Sequence, residues 1–154
     1  MYQAWKILHI LGALGFVGAH GATAAAGLRI RRERDPIRIR ALLELSRSTR
    51  PAMYVSLLLI VVSGIVTGVE GHWWGQAWIW WSTGLLIVLV AVAFPLAVPY
   101  YRRIRRAVEV TASGKHSSAD ELARLVRSSR PIWILIVESV GIAVIVALMV
   151  LKPA

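Results

Sequence analysis

The chain contains no cysteine, which excludes disulfides, thiolate metal sites and cysteine-based catalysis. Acidic residues are scarce too, with eight Asp and Glu against eighteen Lys and Arg, for a formal charge of +10. The three methionines, Met1, Met53 and Met149, are scattered, so no thioether stripe awaits a soft metal. No nucleotide-binding glycine loop, HExxH pair, EF-hand loop or nucleophile elbow occurs anywhere in the 154 residues.

What the chain has in excess is apolar length. It is 57% hydrophobic, with a mean hydropathy of +0.63, too apolar for a soluble domain of this size. Four stretches stand out, roughly Ala4 to Leu28, Pro51 to Val69, Ala77 to Tyr101 and Pro131 to Leu151. Each holds about 18 to 25 residues, enough at 1.5 Å per residue to cross a hydrocarbon core of ~30 Å. The expected fold is therefore a single all-α membrane domain, a polytopic four-helix bundle in contact with the lipid bilayer.

The charges set its orientation. Almost all basic residues lie in the connections 29–50 and 102–130, whereas Glu70–Gln76 carries no Arg or Lys. The positive-inside rule then places both long connections in the cytoplasm and both termini outside, in a bacterial inner membrane. Topology and anionic lipid account for the charge, and no folded soluble domain is left over to bind nucleic acid. Lys6 is the only cation ahead of the first apolar run, which is followed by strong positive charge, an order that fits a retained span and not a cleavable signal peptide.

Helix punctuation marks both long connections. Asp35-Pro36 reads as an N-cap with proline at the first helical position, opening a short helix toward Ser46. Ser118 with Glu121 reads as a capping box for a helix through Val126. These helices either rest on the headgroups or extend the spans. Arg47-Ser48-Thr49-Arg50-Pro51 before span two is echoed by Arg127-Ser128-Ser129-Arg130-Pro131 before span four. Two similar hairpins are expected, by duplication or because any entering helix favours Arg anchors and an N1 proline.

Ionisable groups inside spans are candidates for function. His9 and His20 are eleven residues apart, about three helical turns plus ~20°, so both imidazoles share one face about 16 Å apart. Such a face can ligate haem at two depths, with His72 as the only other imidazole near the level of His9, or simply hydrogen-bond to a neighbouring span. Glu138 lies about 10 Å into span four and His20 about 12 Å into span one from the same side, so the two can meet. We expect His20, Glu138 and Tyr54 to form one inner polar cluster, which relays protons, binds a cation, or serves as a structural interhelical bond. Pro95 in span three, at a similar depth, frees a backbone carbonyl. His116 reads as solvated. A second group at the other end comprises Lys6, His9, Glu70, His72 and Lys152 with most of the seven tryptophans, an aromatic belt or the wall of a pocket for a planar porphyrin or quinone. Small residues crowd span one; spacings of four such as Gly15 to Ala19 permit close helix packing, a homodimer face or a slot for a flat cofactor.

At Lys6-Ile7-Leu8-His9-Ile10-Leu11-Gly12-Ala13 and Met149-Val150-Leu151-Lys152-Pro153 the chain resembles a bacterial family of predicted integral-membrane proteins of unknown function. More distantly, Lys6-x-x-His9 is similar to HemJ-type protoporphyrinogen oxidases and CopD-like membrane proteins. The HemJ resemblance implies haem b at the first-helix histidine, His9 here. A lysine of that family's third span has no counterpart between Ala77 and Tyr101, so what carries over is haem binding more than the oxidase reaction. The leading expectation is a haem b protein with a redox or electron-transfer role, His9, His20 and His72 being the candidate ligands and a quinone a candidate redox partner. The alternatives are an accessory subunit of a larger membrane complex and an ion or proton transporter centred on Glu138 and His20.

Overall fold

The computed structural model describes residues 1–112 and 117–153. Among them are six α-helices and no strand: α1 Tyr2–Ile30, α2 Pro36–Ser48, α3 Arg50–Glu70, α4 Ala77–Ala112, α5 Ser117–Arg127 and α6 Arg130–Leu151, with a 3₁₀ turn at Trp73–Gly75. Four helical stretches are long and apolar enough to cross a membrane, in the four places the hydropathy marks. Lys115 and His116, and the Ser118 side chain of the expected capping box, lie outside the described residues.

The helices pair as two hairpins. α1 packs along α3 and α4 along α6, while α1 meets α6 over only a short stretch. The halves repeat one order: long helix, short helix, then a span that opens with Arg-Pro at Arg50-Pro51 and Arg130-Pro131. Few span side chains are buried, as expected of helices whose apolar surface faces lipid on most sides.

The densest packing lies at the arginine-rich end. The third span does not stop at Tyr101: α4 continues to Ala112, and Tyr100, Ile104, Ala107 and Val108 line one face of this extension. Ile30 of α1, Ile39 and Leu43 of α2, and Leu122 and Val126 of α5 close around it. Burying each isoleucine or leucine there contributes about 1.5–3 kcal/mol. The short helices pack their apolar sides against the α4 extension. They form a cap on the α4 extension.

The local signals at α2 are realised. Asp35 Oδ1 accepts the Ile37 N–H at 2.9 Å and Pro36 opens the helix. Just upstream, Glu33 Oε1 accepts the N–H groups of Arg34 (2.9 Å) and Asp35 (3.1 Å). These bonds hold its carboxyl below the usual range, assisted by Arg38. Asp35→Ala is expected to lower stability by about 1 kcal/mol. A thermal melt in detergent monitored by circular dichroism checks this; an unchanged midpoint would show that the cap does not limit the fold.

At the opposite end, tryptophans tie the chain's extremities together. Trp73 Nε1 donates to the Tyr2 hydroxyl at 3.1 Å, and Trp73 and Trp78 pack edge to face at 5.9 Å. The Lys152 ammonium sits 4.0 Å from the Trp73 ring centre. The aromatic cluster thus joins the start of α1, the α3–α4 turn and the end of α6, beyond any role as a belt.

Candidate functional site: an imidazole–carboxyl pair between the hairpins

His20 on α1 and Glu138 on α6 meet. Nε2 of His20 lies 3.3 Å from Oε2 of Glu138, with side-chain exposures of 16% and 20%. Nε2 is buried and makes no hydrogen bond of normal geometry even at this distance. His20 is held in place by Phe16, one turn earlier, whose ring lies parallel to the imidazole with centres 6.2 Å apart. Because α1 and α6 otherwise scarcely touch, this pair is, among the described residues, the principal polar link between α1 and α6.

Two flanks complete the site. On the arginine-rich side, Tyr101 of α4 lies within electrostatic range of both Glu138 and Arg50, and its hydroxyl fits against Gly27, where a Cβ would come to 2.5 Å. On the other flank, Glu138 lines an apolar groove of about 350 Å³ between α4 and α6, walled by Leu89, Val92, Leu96, Trp133 and Val137, with Arg130 at its mouth. Pro95 of α4 stands beside this groove and removes the N–H that Ala91's carbonyl would otherwise accept.

His9 belongs to a different neighbourhood. Its Nδ1 lies 3.0 Å from the Ile60 carbonyl and 3.2 Å from Ser63 Oγ, both on α3. A carbonyl only accepts, so the proton sits on Nδ1. Ser63 donates its own hydroxyl proton to the Leu59 carbonyl and can accept from the ring. Nε2 keeps its lone pair. Gly64 gives the ring room, since a Cβ there would be 3.1 Å from His9 Cε1.

The remaining candidates stand apart. His72 is exposed, in a left-handed conformation (φ 55°) that caps the 3₁₀ turn. Tyr54 is 51% exposed on α3, and among the described residues no hydrogen bond or ion pair joins it to His20 or Glu138. A tyrosine within electrostatic range of Glu138 is Tyr101, which the sequence presents only as the last residue of an apolar run. Nor do the described residues contain a group of three or more His, Asp or Glu side chains able to hold a metal ion. For haem, the donor set offers one free imidazole nitrogen at His9 and no second histidine facing it from a neighbouring span. It fits one axial ligand per chain and not two.

Fold and site together define a multi-pass integral membrane protein with an ionisable pair inside its spans. The chain belongs to the DUF2269 family of predicted integral membrane proteins, whose model matches residues 3–153. No curated protein and no solved structure matches it.

Proposed function

We propose that this chain handles protons within the bilayer, and that the His20–Glu138 pair is its working group. The observation that carries this reading is an imidazole nitrogen 3.3 Å from a carboxyl oxygen across the seam between two hairpins. An empty pair would bear one negative charge and a doubly protonated pair one positive charge, each costly in hydrocarbon. With one shared proton the pair is neutral overall. It therefore stores a single proton, which can reside on either partner, and it titrates as a unit.

Groups on both sides extend the pair toward the two surfaces. Tyr101 lies toward the arginine-rich end. In the other direction the α1–α3 seam carries Ser56, against Gly15, then Ser63 and His9. Gly15 is about 7.5 Å along the helix from His20 and His9 about 9 Å farther, so water must bridge the steps. In this reading the arginine-rich end faces the cytoplasm of a bacterial inner membrane and both termini lie outside. Gly18 and Gly21, where an added Cβ would meet nothing within 4 Å beyond its own helix, offer a surface to a second copy or to a larger complex.

Infrared difference spectroscopy on the protein in liposomes tests the reading. A protonated-carboxyl band should appear and vanish with pH and be lost in Glu138→Gln, together with proton uptake reported by a trapped pH dye. Identical pH responses in the wild type and Glu138→Gln would sink it.

A second reading is favoured by His9. Nδ1 bonded to a carbonyl, with Nε2 free, is the arrangement that orients an imidazole for an axial bond. When bound, haem b would supply one-electron redox chemistry, with His9 as its protein donor. Expression with added haem should then give a Soret band and sharp reduced α and β bands that His9→Ala abolishes. A colourless protein, or a spectrum unchanged in His9→Ala, would dispose of it.

A further inference from the structure

We infer that the junction of α4, α5 and α6 is a specific site for one anionic glycerophospholipid, its phosphate on Arg103, Arg124 and Arg130 and one acyl chain in the α4/α6 groove. Two cavities that share Arg130 carry the inference. The first, of about 550 Å³, lies at the arginine-rich end and is lined by Tyr100, Arg103, Glu121, Arg124, Leu125, Ser128 and Arg130. Its charge is three guanidiniums against one carboxylate. None of the three arginines forms an ion pair among the described residues, although Arg105 and Arg38 do. The Tyr100 hydroxyl is already committed to the Leu125 carbonyl at 3.0 Å, which anchors α5 to α4 and gives the cavity a fixed wall. Three exposed guanidiniums against one carboxylate leave net positive charge, and guanidinium is the side chain best suited to pair with phosphate.

The second cavity is the apolar groove that ends at Glu138. Arg130 is the first residue of α6, so the charged cavity lies at headgroup level. From Arg130 to Glu138 the groove descends about 12 Å into the hydrocarbon. Anionic head above and apolar channel below, in register on the same side of α6, is the layout of a phospholipid. A free phosphate would use only the upper half, and a neutral lipid only the lower. The bilayer itself supplies the ligand, and anionic lipids are attracted to basic pockets between spans.

This assignment does not rest on the proton reading, because the carboxyl of Glu138 is not needed to hold an acyl chain. His20→Leu, outside the groove lining, is expected to keep the lipid while altering the pH-dependent carboxyl band, so either proposal can fail alone.

The test uses the full chain in neutral detergent, with bound lipid counted by native mass spectrometry. Phosphatidylglycerol, phosphatidylcholine and inorganic phosphate are added in separate arms. One phosphatidylglycerol per chain should be retained at about tenfold lower concentration than phosphatidylcholine, the effect of roughly one strong charge-assisted contact. Arg103→Gln with Arg124→Gln should erase that preference. Leu96→Trp, filling the groove, should weaken both lipids, and inorganic phosphate should fail to displace phosphatidylglycerol. Equal retention of the two lipids by the wild type would overturn the proposal, reducing the site to ordinary boundary lipid. Displacement by inorganic phosphate would overturn it in favour of a bare anion site. Should the double arginine variant not fold, the Leu96→Trp and phosphate arms decide the matter.

Discussion

Replacing His20 with alanine is expected to cost the fold about 3 kcal/mol, the lower end of what breaking a buried ion pair costs. The lower end applies because both side chains retain some exposure, 16% and 20%, and because Glu138 can take up a proton once its partner is gone. The carboxyl is then left in an apolar wall with Phe16 facing a void. Glu138→Gln should be milder, about 1 kcal/mol, since an amide fits the same space and is never charged. The informative variant is the double one, His20→Leu with Glu138→Leu, which should return to within about 1 kcal/mol of the wild type because apolar pairs replace buried ionic ones at little net cost. A coupling of more than about 1 kcal/mol in the cycle closed by the single variants His20→Leu and Glu138→Leu would establish direct interaction. Unfolding midpoints in a single detergent measure all four proteins. If both single substitutions are silent, the pair does not hold the hairpins together. If the double variant is as unstable as His20→Ala, packing around the ring matters more than charge.

This cycle also separates structure from activity. A pair kept only to fasten α1 to α6 would lose nothing in the leucine variant, which should assemble and behave as the wild type. A pair kept for its proton would leave that variant folded, stable and without the pH-dependent carboxyl band. The protein would have traded some stability for an ionisable seam, a trade that single substitutions cannot reveal.

The spans, the Asp35 cap, the repeated Arg-Pro entries and the meeting of His20 with Glu138 are all legible in the sequence, because each depends on one-dimensional quantities. Hydropathy gives length, and counting inward from a charged boundary gives depth. What a single sequence does not carry is azimuth. Tyr54 lies near the depth of Glu138 and Tyr101 nearer the arginine-rich end, and whether α3 turns Tyr54 inward, or α4 brings the Tyr101 hydroxyl against Gly27, only packing decides. The end of α4 was hidden for another reason. A run of arginines after Tyr101 marks where the helix leaves the membrane, not where it ceases to be helical, so the extension to Ala112 and the cap around Ile104 had no local sign. His9's bond to the Ile60 carbonyl left no trace either, since every residue has a carbonyl.

The same blindness to azimuth makes the glycines of α1 the source of the second large effect. Gly12→Val should cost about 2–3 kcal/mol, whereas Gly18→Val should change the monomer's stability by less than about 0.5 kcal/mol. Both glycines lie in one small-residue run, and spacing does not distinguish them. In the structure a Cβ on Gly12 would stand 3.1 Å from Ile60 Cγ1 and 3.2 Å from both the Ile60 nitrogen and the Ser56 carbonyl oxygen, whereas one on Gly18 would meet nothing within 4 Å. The backbone of α3 cannot move aside as a flexible side chain does, so the valine at position 12 must push the helices apart. Because His9 lies one turn earlier on α1 and bonds to the same residue, Ile60, Gly12→Val should also release that imidazole. Nitrogen NMR of the histidine ring would report the loss as a change in tautomer balance. Gly18→Val tests the open face instead: if a second copy packs there, the variant keeps its melting midpoint as a monomer but loses the dimer by light scattering. Equal destabilisation by the two substitutions would contradict the α1–α3 packing described here, and with it the placement of His9.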